Sequence, residues 1–324
     1  MERNLSITDI FSAMTANQTI AAAKTEKDPK KLWKEFWLEN EVCCLFADAN
    51  VGKSILAVQI GNHIGENVLK DSETVLYYDF ELSKKQFELR YSDDANGTFN
   101  FSDRFIRVEL DNDAIRDYCK NSRKAFDDVI MEAIEANIAK YNSRVLIVDN
   151  LSWLVNMKDT PLTAGKLMQK LCEIKKKYKV SVLVLSHTPK RNLGSPITQN
   201  SLSGSKKLPN FFDSMFAVGM SLKDPSLRYV KQIKVRTGKF KYDASHVMVC
   251  KIEKDGPFLG FFKVGYSTEE EQLRPSKKCD TTKANNATSS RGRKRKSKIR
   301  FKSELTNFQL DMIEKMVNES FKNI

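Results

Sequence analysis

The stretch Leu45-Phe46-Ala47-Asp48-Ala49-Asn50-Val51-Gly52-Lys53-Ser54-Ile55 constrains this 324-residue chain more than any other. An apolar run at 42–46 reads as a buried strand, and apolar residues at helical spacing follow over 53–70. Between them lies a tight loop that ends in Gly-Lys-Ser at a helix start. Backbone N–H groups of such a loop, together with the first turn of the helix, form a cradle for phosphates. Residues 47 to 55 supply that cradle, Lys53 is placed to reach the β and γ phosphates, and the Ser54 hydroxyl is a ligand for Mg²⁺. The expected cofactors are therefore ATP and Mg²⁺. Ala47 stands where such loops usually carry their first glycine, a departure at a position where the chain turns out of a strand. A chance Gly-Lys-Ser at a helix start is the plain alternative, and the flanking strand and helix argue against it.

A phosphate loop predicts an acidic partner at the end of another buried strand. Arg144-Val145-Leu146-Ile147-Val148-Asp149 supplies one, with Asp149 as the expected second metal residue. The alternative is that Asp149 caps the next helix.

Other apolar runs fall at 75–80, 105–110, 145–148 and 180–185, separated by helical patterns at 84–91, 123–141 and 163–178. Continuous β-branched runs alternating with amphipathic helices predict an α/β fold with a mostly parallel central sheet flanked by helices. After residue 212 the segments 214–218, 229–236, 246–254 and 258–264 shorten and alternate, which predicts C-terminal β-hairpins extending one edge. Residues 1–30 read as a polar N-terminal arm. Leu32, Trp33, Phe36 and Trp37 fall at helix-like spacing, so 31–37 is expected to be a helix packed on the core.

The strand after the phosphate-loop helix reads Val75-Leu76-Tyr77-Tyr78-Asp79-Phe80-Glu81-Leu82-Ser83. With this segment the chain resembles the RecA/DnaB-type ATPases, in particular their RepA-like hexameric helicase branch. The resemblance implies a RecA-like P-loop core over roughly 32–264. It makes Glu81 the residue that orients and deprotonates the attacking water, with Asp79 as the competing carboxylate. His187, ending Val182-Leu183-Val184-Leu185-Ser186-His187-Thr188, takes the position of a γ-phosphate sensor. Lys234 and Arg236, in a K-x-R-x-G segment, match a pair that reaches the γ-phosphate of a neighbouring subunit. Loops at 155–163 and 189–200 correspond to those facing single-stranded DNA in a central channel, with Lys190 and Arg191 as candidate phosphate contacts. Each of these has a bland counterpart: a helix cap, a structural histidine, a charged exposed strand, a solvated loop.

The net charge of +13 is concentrated in one place. Between Arg274 and Lys302 stand 12 Lys/Arg and one acid, Asp280. Residues 267–302 thus read as a basic disordered linker, and Arg291, Arg293, Lys294 and Arg295 as nonspecific DNA contacts. Leu310, Ile313, Val317 and Phe321 predict an amphipathic helix over 303–324. No apolar run is long enough to span a bilayer, and the six cysteines are scattered without metal-site spacing, so a reduced cytoplasmic setting without membrane contact is expected. The resemblance implies an oligomer of this chain, a hexamer in that branch, acting on DNA as a helicase or remodelling motor in replication or mobilisation of a mobile element. A RadA-like recombination mediator and a KaiC-like nucleotide-regulated switch are the alternatives.

Overall fold

A computed structural model of the chain describes residues 11–95, 97–156 and 164–275, with the side chains of 154–156 outside that description. The basic residues at 291–295, the helix expected over 303–324 and most of the loop at 155–163 lie outside the described residues.

Helix α1 (Ala16–Ala23) buries none of its residues. A small hairpin follows, β1 (Lys31–Trp33) and β2 (Trp37–Leu38), then β3 (Val42–Ala47) and α2 (Lys53–Asn67). Next come β4 (Thr74–Asp79), α3 (Lys84–Arg90), the short pair β5 (Ser92–Asp93) and β6 (Gly97–Thr98), and β7 (Phe105–Val108). Helices α4 (Asn112–Ser122) and α5 (Phe126–Lys140) lead to β8 (Ser143–Asp149), α6 (Leu151–Asn156), α7 (Ala164–Tyr178) and β9 (Ser181–His187). The chain continues with β10 (Ser214–Met220), β11 (Leu227–Val235), β12 (Val247–Asp255), β13 (Phe258–Ser267) and α8 (Glu269–Leu273).

Nine strands form one sheet in the order β13-β12-β11-β10-β3-β9-β8-β4-β7. From β10 to β7 every neighbouring pair is parallel, and β11, β12 and β13 add antiparallel strands at one edge. Both faces of the parallel block are covered. Along β3, Val42, Cys44 and Phe46 enter the core shared with α5 and α7. Cys43, Leu45 and Ala47 enter the one shared with α2 and the N-terminal hairpin. This alternation into two apolar layers is why the strand is apolar at every position.

Three sequence expectations change. Residues 31–37 form a hairpin rather than a helix, with Trp33 opposite Trp37 and Lys34 turning at φ 46°. A two-stranded ribbon buries the same four side chains against the sheet, so apolar spacing alone could not separate the two forms. Helix α4 escaped notice because Ile115 is its only buried residue; Asp111 caps it by accepting from the Asp113 and Ala114 amides. The folded unit also runs past the expected boundary at 266, since α8 inserts Glu269 and Gln272 into the interior.

Candidate nucleotide site

The C-terminal ends of β3, β9, β8 and β4 lie side by side, which brings Ala47, His187, Asp149 and Asp79 to one edge of the sheet. In open α/β sheets this edge is where ligands bind, at the point where the strand connections diverge. Here β3 feeds forward to β4 across the two intervening strands β9 and β8, leaving a crevice above them.

The loop from Asp48 to Val51 joins β3 to α2, and Gly52 forms the helix N-cap at φ 106°. A side chain there would be strained, and its Cβ would lie 2.7 Å from the Ile252 Cδ1 atom and 3.0 Å from Phe261. Asn50 takes the other left-handed position, at φ 60°. Ala47 is still part of β3 and is fully buried, so a Cβ is accommodated where related loops use glycine. Ser54 and Ile55 open the first turn of α2, whose backbone N–H groups face the loop.

Lys53 is buried, and its ammonium donates to the carbonyls of Ala47 and Asp48, both at 3.4 Å. It also lies 3.1 Å from His187 Nδ1. Burial lowers its pKa, and Asp149, Glu81 and Asp48 pull in the opposite direction. The other ring nitrogen of His187 is 3.2 Å from the Asn150 amide and 3.9 Å from Glu81. The Asn150 amide donates to the Glu81 carboxylate, while its oxygen accepts from the Trp153 N–H at 2.9 Å and so caps α6. Lys53, His187, Asn150 and Glu81 thus form one continuous line across the crevice. The His187 contact first, and then the cationic surroundings, hold Glu81 below the usual carboxylate range against a desolvation that opposes it.

Asp79 has a different occupation. Its carboxylate accepts from the backbone amides of Glu81 and Leu82 and from Arg107 Nε at 2.9 Å, with its side chain almost fully buried. It shapes the turn that presents Glu81. Arg107 on β7 also bonds Glu109 and the Leu82 carbonyl.

Asp149 is 1% exposed and accepts from the Tyr77 hydroxyl at 2.7 Å. Burial raises its carboxyl to about 6, partly offset by hydrogen bonds from Ser54 and Tyr77. A hydroxyl and a buried carboxylate in contact are the oxygen donors that suit Mg²⁺. Ser54 and Asp149 would hold the ion, directly or through water, and it would supply neutralisation of phosphate charge. Among the described residues no cluster of three His, Cys, Asp or Glu side chains forms a protein-only metal cage. Phosphate and water oxygens normally complete such a site.

The remaining expected residues sit elsewhere. Lys234 donates to the carbonyls of Pro209 and Phe212, and Arg236 pairs with Asp213 at 2.6 Å. Val235 is level with Ser214 and Cys43, at the opposite end of β3 from Ala47. That is about 13 Å along the strand from the phosphate loop, at roughly 3.3 Å per residue. Neither side chain serves its own chain's phosphate loop. Lys190 is exposed. Arg191, expected to face DNA, turns inward instead: its guanidinium pairs with Asp48 at 3.1 Å and donates to the Ser195 carbonyl at 2.6 Å. A carboxylate in a half-dry setting competes better for that cation than water does.

Sequence reasoning missed Asn150 and Arg228. Asn150 follows the acidic strand directly, and its position beside Asp149 was the available signal. Arg228 on β11 donates to the Val51 carbonyl at 3.2 Å, holding the apex of the phosphate loop. Nothing in the sequence points to that contact, because β11 is distant in the chain and reaches the loop only through β10.

The fold and this crevice define a RecA-like P-loop ATPase domain, built to bind a nucleoside triphosphate. The chain belongs to the AAA domain family, whose match runs over residues 11–192, more than half of its length. No curated protein matches the chain. Among solved structures it is similar to a KaiC-like protein from the hyperthermophilic archaeon Pyrococcus horikoshii OT3. That likeness has 14% identity and a TM-score of 0.49, and covers 70% of this chain and 90% of that one. Among the described residues no helix is long and apolar enough to cross a membrane.

Proposed function

We propose that the chain hydrolyses ATP as an assembled ring or filament and uses the cycle to move along or remodel DNA, in the manner of RepA-like helicases serving replication or mobilisation of a mobile element. The observation that carries this reading is the line from Lys53 through His187 and Asn150 to Glu81. It gives one crevice a phosphate-binding cation, a water-positioning carboxylate and a histidine that touches both groups.

In the resulting mechanism the loop amides and Lys53 bind the phosphates. Glu81 holds a water in line with the γ-phosphorus and accepts its proton, while Asn150 fixes the carboxylate. His187 sits where arrival of a γ-phosphate displaces its contact with Lys53, so the loop that follows β9 senses the nucleotide. Lys234 and Arg236 act on a neighbour's nucleotide, which makes assembly part of catalysis. The exposed Lys190 and the 12 Lys/Arg between 274 and 302 provide the attraction to DNA.

The test is the ATPase rate with and without single-stranded DNA, followed by strand displacement on a forked duplex. DNA stimulation together with displacement supports the motor. Stimulation without displacement points to a mediator, and an unchanged rate with every nucleic acid removes both readings.

A further inference from the structure

The loop after β9 is fastened at two points. At its start, Asp48 of the phosphate loop accepts from the Thr188 hydroxyl and from Arg191, whose Nε lies 3.2 and 3.3 Å from the two carboxylate oxygens. Arg191 and Asp48 are 11% and 15% exposed at their side chains, so this pair is well shielded from water. Arg191 also closes the turn over residues 192–195 through the Ser195 carbonyl. Further on, Ile197 is completely buried, and a single ion pair binds both its backbone groups. Its N–H donates to Glu269 at 2.9 Å, and its carbonyl accepts from Lys231 at 2.9 Å. Lys231 and Glu269 are themselves paired at 2.5 Å, and the Tyr229 hydroxyl, which also interacts with Arg191, donates to Glu269. Between the two fastenings, residues 192–196 are exposed.

One residue, Asp48, therefore carries two contacts with different owners. Its carbonyl accepts from Lys53, the group that must move to meet the phosphates, and its carboxylate holds Arg191. We propose that Arg191 is a positioning residue which, through Asp48, couples the conformation of the exposed loop at 192–196 to occupancy of the phosphate loop. A ligand that draws Lys53 away frees the Asp48 carbonyl and resets the carboxylate that Arg191 reads. Conversely, anything that displaces the exposed loop, DNA included, pulls on the loop that binds phosphate. The second fastening at Ile197 keeps motion of the first end from dissipating along the chain: the 192–196 segment must change shape between two anchors. This coupling rests on the ATP reading of the site and gives Arg191 a role in place of direct DNA contact.

Two measurements test it on the full-length protein. The first is a double-mutant cycle of Asp48→Ala and Arg191→Ala, read as the dissociation constant of a fluorescent ATP analogue with Mg²⁺. Each single change should weaken binding about ten- to hundredfold, as expected for a charge-assisted contact. The double variant should be no weaker than the weaker single, and Arg191→Lys should recover part of the loss. The second needs no variant: trypsin cleavage after Lys190 and Arg191 should slow when nucleotide is bound to the wild type. In Asp48→Ala under saturating nucleotide, that protection should vanish. Additive penalties in the cycle, or cleavage of the wild type indifferent to bound nucleotide, overturn the coupling and leave the ATP site intact. A wild type that binds no nucleotide overturns the ATP reading and the coupling with it.

Discussion

The ammonium of Lys53 lies 3.1 Å from Nδ1 of His187, so the cation of the phosphate loop is already engaged with the end of the neighbouring strand β9. A triphosphate must break this contact to recruit Lys53. Replacing His187 with Ala should therefore leave ATP affinity unchanged or slightly higher. It should also weaken the part of the nucleotide-dependent change in the loop after β9 that passes through His187, and lower kcat about ten- to hundredfold. Equilibrium binding beside steady-state rates separates these effects; a large loss of affinity would contradict them.

Glu81→Gln should reduce the single-turnover hydrolysis rate by about 10²–10⁴ while nucleotide binding persists, the usual contribution of a positioned acid or base. Asn150→Ala should give a smaller loss in the same direction, because Glu81 then keeps its charge but loses its amide donor. Asp79→Asn serves as the contrast. It weakens the turn held by Arg107 and should show mainly as a lower unfolding midpoint.

The Arg236→Ala variant should lose most ATPase activity and keep its nucleotide affinity. Mixing it with Glu81→Gln should restore activity, since some interfaces then combine a sound Glu81 with a sound Arg236 from the neighbour. Mixtures no more active than their parts would rule out a trans-acting arginine.

Buried charge gives a stability prediction. Lys231→Ala or Glu269→Ala should each cost about 3–5 kcal/mol in urea unfolding, because each leaves an uncompensated ion in the interior. The single losses should also expose the segment around Ile197 to proteolysis, since both of its backbone bonds depend on this pair.

Much of this site could be read from sequence because its parts are local. A strand, a loop with Gly52 and a helix beginning at Lys53 are contiguous, and Glu81, Asp149 and His187 each end an apolar run. Period and punctuation marked Lys53, Ser54 and Asp149, while Glu81 and His187 were singled out by the resemblance to RecA/DnaB-type ATPases. What was not legible depends on contacts between distant segments. Arg191 follows β9 on a polar stretch that reads as solvated, and only the pairing of β9 with β3 shows that Asp48 waits for it. Arg228 reaches Val51 of the phosphate loop from the antiparallel edge, and Glu269 finds Lys231 on the same edge. The 31–37 hairpin was misread for another reason: four apolar residues in a short span satisfy either a helix turn or a tight ribbon.

Gly52 rests against Ile252 of β12 and Phe261 of β13, and Arg228 of β11 grips the Val51 carbonyl. All three come from strands beyond residue 192, where the family match ends. The motif that announces this protein is thus propped from behind by a part of the chain that lies outside the family match. A shortened form ending near residue 200 would keep Lys53, Ser54, Glu81, Asp149 and His187 and the whole of the family match. Its phosphate loop would lack its backing, like an arch that keeps its keystone after the abutment is removed.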